Sequence, residues 1–142
     1  MPEALSSQPA YDAAAAEAFA ERIMDTVNGA AVTVMISLGH RCGLFDTLAS
    51  LPPATSEKIA ATAELSERYV REWLAAMVTG GVVHYDVKRR TYHLPAEHAA
   101  CLTRGAPLGN LAVAANVIPV VGAVHDRIVA CFESGEGTRY ED

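Results

Sequence analysis

Cysteine is scarce and unpatterned in this chain. Cys42, Cys101 and Cys131 are odd in number and widely separated, and none sits in a CxxC or HxxxH spacing. Neither a disulfide framework nor a zinc site is signalled, and reduced thiols in a cytoplasmic setting are expected. An excess of basic charge is also lacking. The formal net charge is -6, which argues against a general polyanion binder. The N-terminal MPEALSSQPAYD has no basic stretch leading into an apolar core, so no secretory signal is expected. The longest apolar run, Leu111 to Val124, is interrupted by Asn116 and Pro119 and falls short of the ~20 residues of a membrane span. It reads as a buried segment, with no membrane partner.

What is present is the composition of one globular domain: 142 residues, 51% hydrophobic and 20% charged. Phe19, Ile23 and Val27 recur at spacings of four in an alanine-rich stretch, and Asn28-Gly29 follows. An amphipathic helix over residues 11–28 is predicted, with a second, almost wholly apolar helix over 31–42. Gly43-Leu44-Phe45 should turn the chain, residues 46–49 should form a short turn, and Leu51-Pro52-Pro53 should separate two subregions.

The next stretch carries the clearest pattern. Thr55-Ser56 can cap a helix containing Ile59-Ala60, Ala63-Glu64-Leu65 can turn, and Ser66 can cap a longer helix. There Val70, Trp73, Leu74 and Met77 fall at i, i+3, i+4 and i+7, so with Ile59 and Leu65 they should pack two helices across the turn. Glu64 stands where such turns usually hold glycine, which predicts left-handed strain. Gly80-Gly81 stops the helix. Two strands, 82–85 and 91–94, should flank a polar corner at 86–90, forming a wing. A helix over 95–102 and a long apolar helical stretch over 110–132, which Pro119 should divide or kink, complete the prediction. The expected fold is mainly α: a winged helix-turn-helix with a small two-stranded hairpin and extra terminal helices for dimerisation. Its expected divisions are a tail (1–13), the winged-helix dimerisation domain (14–132) and a linker (133–142).

Candidate sites are weighed residue by residue. On the second helix Glu67, Arg68, Arg71 and Glu72 would face a DNA major groove, yet their charges cancel. In the wing Lys88, Arg89 and Arg90 outnumber Asp86, although a solvated basic corner ranks ahead of phosphate binding. No histidine has a serine-aspartate or cysteine partner at suggestive spacing, and Gly135-Glu136-Gly137 follows a helix rather than a strand, so it reads as linker and not as a nucleotide cradle.

The runs GLFDTLA, SEKIAATAELSERYVREWLAAMVTGGVVHYD and TYHLPAEHAACLT together resemble the N-terminal region of class I S-adenosylmethionine-dependent methyltransferases. Those enzymes carry a winged-helix domain ahead of a Rossmann-like catalytic domain, and the resemblance spans about residues 14–132. It implies a homodimerising, substrate-covering module of a methyltransferase. Cofactor binding and chemistry would belong to a C-terminal domain missing from this chain, so no S-adenosylmethionine is expected to bind here and no catalytic residue carries over. The apolar surface of Met35, Ile36, Val117, Ile118 and Val121 exceeds what a small winged helix needs, which itself implies a partner or an apolar ligand. Met35, His40, Asn116 and His125 are candidates to face a small apolar substrate, although satisfied core groups are the plainer reading. Two alternatives stay open. One is a transcriptional regulator contacting DNA through Arg68, Arg71, Lys88, Arg89 and Arg90; the other is an oligomerisation fragment without a ligand.

Overall fold

The computed structural model describes residues 11–137; the first ten residues of the expected tail and residues 138–142 of the expected linker lie outside them. Helix α1 (Ala13–Arg41) begins at Asp12, whose side chain accepts a hydrogen bond from the Ala15 amide at 3.0 Å. It runs straight through Asn28-Gly29, so the expected pair of helices is one helix of 29 residues. An interior glycine costs about 1 kcal/mol relative to alanine. That penalty is small beside the uninterrupted hydrogen bonding of the alanine-rich turns on either side. The helix stops instead at Gly43, in the left-handed region at φ 70°.

The Asn28-Gly29 signal nevertheless marks a real change. Up to Ala31 every described residue except Ala16 is exposed, including Phe19, Ile23 and Val27, whereas from Val32 onward α1 enters the core. Ser37 and Gly39 are buried there. A side chain at Gly39 would collide with Trp73 and would lie 2.9 Å from Phe45 Cε2. The close approach of two aromatic rings therefore requires glycine.

Residues expected as a short turn form helix α2 (Leu44–Ser50), which buries Leu44, Phe45 and Leu48. Their i, i+1, i+4 spacing supplies one apolar face, and Phe45 meets Trp73 edge to face with ring centroids 5.3 Å apart. Helix α3 (Ser56–Ala63) is capped by Thr55, and α4 (Glu67–Thr79) follows after a turn in which Glu64 takes φ 56°, ψ 39°. The left-handed turn without glycine is thus present. Val70, Trp73, Leu74, Met77, Ile59 and Ala60 are buried between the helices as expected. Leu65 is not: it stays 37% exposed, because its amide is spent closing α3 on the Ala60 carbonyl and its side chain falls at the rim.

The wing is a two-stranded antiparallel sheet of β1 (His84–Asp86) and β2 (Thr91–His93), with His84, Tyr85 and Asp86 facing His93, Tyr92 and Thr91. The first strand starts two residues later than expected, since the Val82 and Val83 amides both bond to the Met77 carbonyl and so finish α4. Val83 is buried there. Asp86 Oδ1 accepts from the Lys88 and Arg89 amides at 2.9 and 3.0 Å, tightening the corner, and Arg90 leaves it at φ 54°. Ala54 pairs with Tyr92 as an isolated bridge, tying the wing to the start of α3.

Helix α5 (Ala96–Leu102) is followed by a short 3-10 helix (Leu111–Asn116) and by α6 (Val117–Ser134). The stretch is divided, but not at Pro119. The break lies at Asn116 and Val117, and Pro119 occupies the first turn of α6, where its missing amide has no helical partner to lose. The expected burial of Leu111 to Val124 also fails. Only Ala112 and Ala115 are buried, packed beside α1, while Val113, Val117, Val120 and Val121 are exposed because no described element covers them. By length and composition alone the 24 residues Leu111–Ser134 are long and apolar enough to cross a membrane, contrary to the shorter run read from the sequence. The consecutive His125, Asp126 and Arg127 in that stretch would each be costly in hydrocarbon.

Candidate functional site: two apolar cavities and a basic cleft

Where α1 reaches the start of α4, an apolar cavity of about 500 Å³ opens between Met35, Leu38, Cys42, Leu65, Tyr69 and Trp73. Its back wall is rigid, because Trp73 Nε1 donates to the Met35 carbonyl at 2.8 Å and so links α4 to α1. Met35 is among the residues that line this cavity.

His40 and Asn116 come together elsewhere, in an open groove of about 560 Å³ between α1 and α6 that Arg41, Pro119, Val120 and Val124 also line. Asn116 Oδ1 accepts from the buried Ser37 hydroxyl at 2.7 Å, and His40 Nδ1 lies 3.3 Å from Asn110 Nδ2. Both residues therefore have partners within the protein. His125 does not join them: its side chain is 69% exposed and lies 3.6 Å from Asp126. The four candidates thus divide among two cavities and the open surface.

One polar cluster had no local signal in the sequence. Arg104 donates to both oxygens of Asp46, from its amide at 2.9 Å and from Nη1 at 2.7 Å, and Nη2 donates to the His40 carbonyl at 2.9 Å. It staples the end of α1 to α2 across a separation of 58 residues between Arg104 and Asp46. Only the fold brings these groups together.

The DNA candidates divide as well. On α4 the charges pair along the helix, Arg68 with Glu72 at 3.5 Å and Arg71 with Glu67 at 3.8 Å. Arg71 also reaches a cleft of about 280 Å³ between wing and helices, where it is joined by Arg89, Arg90, Tyr85, Tyr92, Thr55, Ser56 and Glu57. Arg68 and Lys88 do not line it. Burial raises the pKa of Tyr92 above the ordinary phenol value, with Tyr85 adding to the effect. Glu57 is shifted the other way, chiefly by its own backbone amide and then by the Thr55 hydroxyl.

His84 lies 5.1 Å from His93 and 6.0 Å from His98, ring centre to ring centre, and His98 Nδ1 is 2.8 Å from the Val82 carbonyl. Among the described residues no group of His, Cys, Asp and Glu is arranged to hold a metal ion.

Two helices crossing at a tight turn, followed by a hairpin, define a winged helix-turn-helix protein. The family model of the Rv2258c-like winged HTH domain matches residues 30–104, just over half the chain. The chain belongs to that family. Solved structures with the same fold include the mitomycin 7-O-methyltransferase MmcR (TM-score 0.66, 22% identity, covering 89% of this chain and 37% of that one). PigF with SAH is similar at TM-score 0.64 and 21% identity, over 86% of this chain and 38% of that one. Human N-acetylserotonin methyltransferase in complex with SAM matches at TM-score 0.63 and 18% identity, over 94% and 37%. The chain therefore spans somewhat over a third of the length of these structures. No curated protein matches the sequence.

Proposed function

We propose that this chain is the N-terminal winged-helix module of an S-adenosylmethionine-dependent methyltransferase. It associates as a homodimer through its terminal helices and covers a small apolar substrate, while a separate Rossmann-like domain, outside this chain, holds the cofactor and performs the transfer. Within that reading residues 14–132 are the dimerisation domain, and residues 133–142 lead toward the catalytic one. The cytoplasm is its proposed compartment.

The observation that carries the proposal is the unpartnered apolar surface at both ends of a well-packed winged helix. Phe19, Ile23, Met24 and Val27 on α1, with Val117, Val120, Val121 and Phe132 around α6, are all at least 45% exposed. Apolar surface on that scale is expected to meet a partner. Support also comes from the likeness to methyltransferases over about 37% of their length. On the helix that would enter a DNA groove, Arg68 and Arg71 are matched in number by Glu67 and Glu72, so that face carries no net positive charge, which disfavours the regulator reading.

Sedimentation of the chain should reveal a dimer, and replacing Phe19, Ile23 and Val27 together by serine should shift it to monomer. Calorimetric titration with S-adenosylmethionine should give no heat of binding. A monomeric wild-type chain, or micromolar binding of the cofactor by this chain alone, would overturn the proposal.

A further inference from the structure

The cleft between the wing and the helix pair is unlike the other cavities, because it is lined by charge. Three arginines line it from two separate parts of the chain: Arg71 on α4, and Arg89 and Arg90 at the wing corner. Their spacing in the sequence gives no hint of this, since 18 residues separate Arg71 from Arg89. The bridge between Ala54 and Tyr92 pulls the wing against α3 and closes the third side.

Charge accounting favours an anion. Arg71 is held by Glu67 only at 3.8 Å, and Arg89 by Asp86 only at 4.0 Å, distances at which an exposed pair contributes little. Glu57 is the carboxylate among the lining residues, and its pKa is lowered chiefly by its own backbone amide, then by the Thr55 hydroxyl, with Arg90 acting in the same sense. Among the residues that line the cleft three arginines stand against that one carboxylate, while Glu67, bonded to the Ser56 hydroxyl, and Asp86 flank it from outside the lining. The forked donors of arginine match the oxygens of a phosphoryl group.

The walls set the size and the class. Tyr85 and Tyr92 stand side by side across the strands with ring centres 4.5 Å apart, giving the cleft an aromatic flank beside its cationic one. A volume of about 280 Å³ admits a phosphoryl group with a small organic substituent. An extended nucleic-acid surface would recruit the neighbouring Arg68 and Lys88, and neither lines the cleft. We propose that this cleft binds the phosphoryl group of a small phosphate monoester, with Arg71 and Arg90 as its principal contacts and Arg89 at the mouth. The site stands on its own geometry and does not depend on the methyltransferase reading.

Titration of the whole chain at low salt with inorganic phosphate and with phenyl phosphate, followed by amide NMR shifts, tests it. Saturable binding with a dissociation constant of about 1 mM or tighter is expected, with shifts centred on Thr55 to Glu57 and Tyr92. Phenyl phosphate should bind more tightly than phosphate, since its ring gains the tyrosine flank. Arg90→Asn keeps a residue that tolerates the left-handed backbone, and Arg71→Gln removes only an exposed charge, so both should fold; each should weaken binding by about tenfold. Arg68→Gln should leave it unchanged. Absence of saturation, or equal weakening by Arg68→Gln, overturns the site. So does binding of duplex DNA that displaces phosphate and depends on Lys88 and Arg68, which would replace a small-molecule cleft by a nucleic-acid surface.

Discussion

The three apolar helical faces of the chain meet opposite fates. In α4 the stripe of Val70, Trp73, Leu74 and Met77 is almost wholly buried, because α1, α2 and α3 close over it. In α1 before Ala31, and over most of α6, residues just as apolar stand in solvent. Helical spacing is shared by all three, so periodicity alone reports a helix and an apolar face without naming what covers that face. In this molecule the covered stripe defines the fold and the bare ones are left facing solvent.

The comparison is broken most forcefully at its centre. Trp73→Ala should cost about 3–5 kcal/mol of stability, since it empties the space beside Phe45 and frees the Met35 carbonyl. Chemical denaturation would measure it, and a loss below about 1 kcal/mol would mean that the indole is not the keystone of the packing. Gly39→Ala should follow at about 1–3 kcal/mol, because the added methyl meets the Trp73 and Phe45 rings and forces them to shift. Ser37→Ala tests the join between the well-packed and bare regions. It removes the buried hydroxyl that holds Asn116 and should cost about 1–2 kcal/mol, with faster hydrogen exchange in the residues around Asn116 as the local signature. The smallest effect should come from the bare region. Single serine replacements at Phe19, Ile23 or Val27 should change unfolding of the isolated subunit by no more than about 0.5 kcal/mol, while weakening its association. Thermal melts followed across a range of protein concentrations separate the two effects. A large loss independent of concentration would show that α1 is stabilised within its own subunit.

Legibility in the sequence followed the range of the interaction. Capping at Thr55, the left-handed Glu64 and the buried face of α4 depend on residues within a few positions of one another, and all were readable. The Asn28-Gly29 stop and the Pro119 kink were misread, because a local breaker is only a modest penalty: the first was outweighed by its helical neighbours, and the second fell where a helix begins. Leu65 was misplaced by a fraction of a turn. For the sites, the sequence offered Met35, His40, Asn116 and His125 as one group; the fold keeps only His40 and Asn116 together and places the other two elsewhere. Arg71, Arg89 and Arg90 were noted as charges on two elements, and only the docking of the wing made them one cleft.

By itself, then, the order of residues determined the helix-turn-helix with its wing, since short-range spacing, caps and turn residues act through neighbours whatever the rest of the chain does. Tertiary structure alone decided which apolar faces are covered, and that Arg104 reaches Asp46, Ser37 reaches Asn116, and three arginines share one space. Those contacts join groups up to 79 residues apart, and their distances follow from how helices cross rather than from any pattern along the backbone.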